Sequence, residues 1–181
     1  MNEWETDMKK ETFPWEIAGF AFTSLLGTFL HFLYDLSGGK LWAAVISGVN
    51  ESTWEHMKLL FFPMLIFGVA RYLFSPRRKD LTCILLRSIL LGQILIPILF
   101  YTYNGAVGKS PDWLNIAIFF ISAFFAFRYQ AAWFKKESTS CAFPRLAFAG
   151  LLGIALLFAL FTFFPPELGL FRDPISGTYG I

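Results

Sequence analysis

A chain of 181 residues that is 56% hydrophobic and only 15% charged cannot fold as a water-soluble domain. Soluble domains carry about 25% charged residues, and here too few charges are present to cover the surface of so small a core. The mean hydropathy of +0.55 makes a lipid bilayer the second solvent. A net charge of +2, with basic residues not interleaved with aromatics along one face, excludes nucleic acid as a partner.

Residues Met1 to Glu11 mix Glu3, Glu5 and Asp7 with Lys9 and Lys10, and no small-residue cleavage site follows the first apolar stretch. That stretch is therefore expected to remain as a helix rather than be removed as a signal peptide. A helix needs about 20 apolar residues to cross the hydrocarbon core. Five stretches reach that length: Trp15–Leu36, Thr53–Phe74, Leu81–Tyr101, Trp113–Phe134 and Pro144–Phe164. The apolar run Leu41–Ile46 is too short to cross, and is expected at the interface or as a re-entrant cover. Ser110-Pro111-Asp112 reads as an N-cap, a proline at the first helical position and an acid in the first turn. Pro165-Pro166 stops the last helix. The expected fold is all-α: one polytopic bundle of five transmembrane helices over residues 1–181, with short connections and no internal repeat.

Orientation follows from the cations. Arg71, Arg77, Arg78 and Lys79 lie between spans two and three; Arg128, Lys135, Lys136 and Arg145 flank the connection between spans four and five; Lys9 and Lys10 precede span one. An excess of Lys and Arg belongs on the cytoplasmic side, so the N-terminus is expected inside and the C-terminus outside a cell membrane. Cys83 and Cys141 are too few and too far apart for a disulfide framework or a cysteine metal site. At the cytoplasmic ends of their helices they are expected as reduced thiols.

Four polar segments then share the outer face: His31–Gly39, Val49–Lys58, Tyr101–Trp113 and Phe171–Ile181. His31 lies roughly 7 Å below the outer end of span one, and His56 at a similar depth in span two. At 100° per residue, Ser24, Gly27, Thr28, His31, Tyr34 and Asp35 fall on one side of span one. Glu51, Glu55 and Lys58 follow helical spacing on span two, with His56 about 100° around on the side of Ser52. Ser52 and Glu55 fit a capping box, with Asn50 as an alternative cap. Gln93, Pro97, Tyr101 and Asn104 on span three, with Asp112, Asn115 and Ser122 around span four, complete the candidate walls of a polar depression.

The run VNESTWEHMKLLFFP, preceded by HFLYDLSGG and followed far downstream by GLFRDPISGTYGI, resembles a bacterial family of small multi-pass membrane proteins defined by a domain of unknown function. The resemblance covers nearly the whole chain. It implies membrane location and a multi-helix fold, and brings no catalytic assignment.

Three readings of the polar cluster follow from its chemistry. The first is a structural network, in which Glu51 or Glu55 pairs with Lys58, His31 bonds a carboxylate and Asp35 tethers the Gly38-Gly39 turn. The second is a site for a small ligand or ion, for which a transport path would need a homo-oligomer, the chain being short. The third is a divalent metal held by His31, Asp35, Glu55 and His56, with Glu51 in reach, activating water against a lipid-linked substrate. No HExxH pair is present, and the adjacent Glu55 and His56 diverge on a helix, so at most one joins a site facing span one.

Overall fold

The computed structural model describes residues 3–74, 80–108, 111–136 and 141–181, with the side chains of 3–13 and 112 outside the description. Its helices are α1 (Glu3–Leu36), α2 (Leu41–Ile46), α3 (Thr53–Phe74), α4 (Leu81–Val107), α5 (Asp112–Phe134) and α6 (Pro144–Phe163), followed by a 3₁₀ turn at Gly169–Phe171. Among the described residues there is no strand, only a single antiparallel bridge between Arg172 and Tyr179.

Five of these helices contain segments long and apolar enough to span a bilayer: Pro14–Leu36, Thr53–Phe74, Leu81–Val107, Trp113–Phe134 and Pro144–Phe163. The chain is a multi-pass membrane helix bundle. The span limits agree with those read from the sequence except in α4, which runs on to Val107 instead of ending near Tyr101. The polar run at Tyr101–Asn104 contains no helix breaker, and the helix stops only at Gly108, whose φ of +96° suits glycine.

α3 is the central element, packing against α1, α4, α5 and α6. Its Leu60, Phe61, Met64 and Phe67 form the core with Leu85, Ile89 and Ile96 of α4, Ala126 and Phe127 of α5, and Leu151 and Phe158 of α6. With lipid outside, hydrophobicity does not distinguish core from surface, so close approach at small residues organises the packing. Gly27 of α1 lies against the Leu59 carbonyl, and Gly92 of α4 against Leu60 and Ala126.

Leu41–Ile46 forms the short helix α2, with Ala43 and Ala44 fully buried against the bundle and Leu41 and Trp42 exposed. It caps one end of the bundle, touching α1, α3 and α6.

At the other end the expectation for the cysteines fails. Cys83, near the start of α4, is joined to Cys141, just before α6, across a Cα separation of 6.1 Å. The packing of α4 on α6 brings together residues 58 positions apart, which spacing in sequence does not reveal. Proximity is fixed by the fold, whereas the oxidation state of such a pair is fixed by the compartment.

Candidate functional site

The segment 47–52, between α2 and α3, turns the chain back over the end of α1. Asn50 Oδ1 accepts from the Ser52 N–H at 2.9 Å, and Glu55 Oε2 accepts from the Val49 N–H at 3.0 Å. Ser52 Oγ accepts from the Glu55 N–H at 3.3 Å, so half of the expected capping box is present. The reciprocal half is replaced. The Glu55 carboxylate is drawn inward, and Asn50 takes its place on the Ser52 N–H.

Two separate polar groups result. In the first, Lys58 is completely buried, and its three ammonium donors meet Glu55 Oε2 at 2.5 Å, the Ala44 carbonyl at 2.8 Å and Thr162 Oγ1 at 2.8 Å. That set satisfies the donor inventory of an ammonium group. Thr162 Oγ1 in turn lies 3.1 Å from Glu55 Oε1 and 2.9 Å from the Phe158 carbonyl. The Ala44 carbonyl belongs to the last turn of α2, where a cation is favoured. This ion pair ties α2, segment 47–52, α3 and α6 together and turns Glu55 away from α1.

In the second group, Glu51 stands before the first residue of α3, so helical phase does not place it in a stripe with Glu55 and Lys58. Its carboxylate instead bridges two imidazoles, with Oε1 at 3.7 Å from His31 Nε2 and Oε2 at 3.4 Å from His56 Nε2. The two rings stand edge to face, 5.4 Å between centroids. One ligand atom from each of His31, Glu51 and His56 lies within 4.8 Å of the others. His56 Nδ1 is 3.0 Å from the Ser52 carbonyl, one turn back. A proton on Nδ1 donated to that carbonyl leaves the Nε2 lone pair facing Glu51 and His31.

The group opens on a cavity of about 170 Å³ lined also by Phe32, Asp35, Val49 and Asn50. Asp35 is exposed on its rim. Asn50 Nδ2 donates to the Gly180 carbonyl at 2.9 Å, tying segment 47–52 to the C-terminal tail. The tail is braced by Asp173, which accepts from the Ile175 N–H and the Ser176 hydroxyl, and by Phe171, whose ring sits 4.8 Å from Trp54.

Other sequence candidates stand apart. Tyr34 lies beside Gly39 at the end of α1. Tyr101 is exposed on α4 against Phe100, and Asn104 Nδ2 donates to the Phe100 carbonyl. Asp112 opens α5 with its side chain outside the described residues. Thr28 is exposed, its hydroxyl donating to the Ser24 carbonyl, as a hydroxyl facing lipid can. Thr162 is the residue that sequence reasoning missed, a lone hydroxyl in an apolar helix with no local signal beyond its polarity.

The profile of the family of unknown function DUF6512 matches residues 3–181. The chain belongs to that family. No curated protein and no solved structure matches it. The family match brings no activity; the multi-helix fold and its five membrane-length helices stand on the structure itself, and the chemistry rests on the geometry of the site.

Proposed function

We propose that His31, Glu51 and His56 form a binding site for a divalent transition metal, zinc above all, at the extracytoplasmic face of the membrane. The observation that carries this reading is the spacing of the ligand atoms. Zinc bonds of 2.0–2.1 Å in a tetrahedron set neighbouring ligand atoms about 3.4 Å apart. The Glu51 oxygens stand 3.7 Å (Oε1) from His31 Nε2 and 3.4 Å (Oε2) from His56 Nε2, and one ligand atom from each of the three residues lies within 4.8 Å of the others, so side-chain rotation that draws them together completes the set. Two imidazoles and one carboxylate also match the ligand softness of zinc, and three protein ligands leave a fourth position facing the cavity.

The orientation rests on the basic residues at the opposite end, including Arg71, Arg128, Lys135 and Arg145. The Cys83–Cys141 bond at that same end favours an oxidising compartment there, and labelling Lys135→Cys from each side of sealed membranes, in a background with both native cysteines replaced by serine, decides between the two.

A second reading, hydrolysis of a lipid-linked substrate by metal-activated water, has one observation in its favour. The cavity is walled by Asp35, a base, and by Phe32, which is exposed on the lipid-facing surface of α1.

Titration of the purified protein with zinc tests the main proposal. One ion should bind per chain, and His31→Ala, Glu51→Gln and His56→Ala should each weaken it. Binding unchanged across the three variants, or none by the unaltered chain, refutes it.

A further inference from the structure

Arg87 is the only basic residue of α4, and it is exposed six residues inside that helix, roughly 9 Å from its start. A guanidinium at that depth on a lipid-facing surface is costly unless it reaches the interface. Side chains on a helix lean toward its N-terminus, which for α4 is the nearer membrane surface, so the stem of Arg87 runs outward along the helix. Its guanidinium carbon comes to rest 5.5 Å from the centre of the Trp133 ring, one residue before the end of α5. The Lys136 ammonium lies 4.3 Å from the centre of the same ring. Tyr129, one turn before Trp133, packs against that ring at 5.9 Å between centroids.

Two cations, one from α4 and one just past α5, are thus gathered on one indole at the end of the bundle opposite the histidine group, and both are exposed. Each is attracted by the ring face and repelled by the other charge, and an anion seated against both offsets that repulsion. Among the described residues no acidic side chain pairs with Arg87. Arg71 marks the contrast. It stacks 3.6 Å from the Phe134 ring and 5.9 Å from the Trp15 ring, but it is only 4% exposed, so its charge acts inside the bundle.

Below Arg87 the same face of α4 carries Leu90, Ile94 and Ile98 at helical spacing, all of them exposed. The rise from Arg87 to Ile98 is about 16 Å, close to the hydrocarbon depth of one leaflet, which is half of about 30 Å. A cationic pair at the surface with an apolar track of that depth beneath it matches an amphiphile, an anionic head over an acyl chain. A free phosphate ion would use the pair and leave the track without a role.

We infer that Arg87, Lys136 and Trp133 form a binding site for the phosphate of an anionic phospholipid, with an acyl chain lying along Leu90, Ile94 and Ile98. The two cations contact the phosphodiester oxygens, and the indole they share holds them in place. The site has no residue in common with the histidine group and is independent of the zinc proposal.

The test is native mass spectrometry of the full chain released from detergent micelles, with phosphatidylglycerol or phosphatidylcholine added in equal amount. The unaltered chain should retain phosphatidylglycerol in preference to phosphatidylcholine. Arg87→Gln and Lys136→Gln should each weaken that retention by roughly fivefold, the share of one cation near a membrane surface. Arg128→Gln removes another exposed cation of α5, about 140° around the helix from Trp133, and should leave retention unchanged. Equal retention of the two lipids overturns the inference, and so does retention unchanged by either Arg87→Gln or Lys136→Gln. An equal loss in Arg128→Gln would show diffuse attraction to a basic surface and also overturns it. Full displacement of the lipid by sodium phosphate at the same concentration would assign the pair to free phosphate and refute the lipid. If Arg87→Gln does not assemble, Lys136→Gln lies beyond the end of α5 and carries the same expected loss.

Discussion

Gly27 of α1 faces the carbonyl oxygen of Leu59 in α3 so closely that a methyl group on the glycine would sit 2.7 Å from it. Pro63, four residues after Leu59, has no N–H to offer that carbonyl, which leaves its oxygen available at the helix contact. The contact is one turn from His31, so it sets how near His31 comes to Glu51 and His56.

Gly27→Ala should therefore act on both stability and the site. Overpacking costs about 1–3 kcal/mol, and the displaced α1 carries His31 away from its partners. Thermal unfolding in detergent should show a lower midpoint together with weaker zinc binding. A lower midpoint with unchanged zinc affinity would detach the helix contact from the site.

Lys58→Met should be among the most damaging single changes in the chain. It leaves the Glu55 carboxylate buried without its cation, and breaking a buried pair costs about 3–5 kcal/mol. Replacing both partners, Glu55→Gln with Lys58→Met, should recover much of that loss. A double-mutant cycle of unfolding free energies checks the sign, and strict additivity would mean the pair is not coupled.

Asn50→Ala removes the donor to the Gly180 carbonyl and the acceptor for the Ser52 N–H. Losing a neutral hydrogen bond costs about 0.5–1.5 kcal/mol each. Hydrogen exchange should rise at the Ser52 amide and through the tail around Asp173. Protection that stays at the level of the unaltered chain at both places argues against Asn50 as the link.

Reduction of the Cys83–Cys141 bond should loosen α4 from α6. For an intervening separation of 58 residues, chain entropy sets a ceiling of about 4 kcal/mol. The effect in a bilayer is smaller, because helices that stay inserted have less freedom to regain. Alkylation with and without reductant, read by mass, reports the bond in isolated membranes; full alkylation of both thiols without reductant would show that the pair is not oxidised there.

The bundle was legible because the bilayer imposes a length on each span, and Leu41–Ile46 was set apart by falling short of it. The pairing of His31 with His56 was legible from depth along two connected helices. Helical phase failed at Glu51, because the helix begins at Thr53 and the carboxylate obeys the geometry of a turn. Phase did separate Glu55 from His56, and the buried Lys58 supplies the reason the glutamate turns inward. The disulfide and Thr162 were not legible, since both depend on how α6 packs against α3 and α4.

Asn50 and Gly180 are 130 positions apart, and Lys58 and Thr162 are 104. A chain entering the membrane as it is synthesised places α1 and α3 long before α6 and the tail exist. Until then the Lys58 ammonium lacks one of its three partners and segment 47–52 lacks its anchor. The site is thus finished by segments made well after its histidines, and synthesis interrupted before Thr162 yields a bundle with its histidines inserted and its polar centre still open.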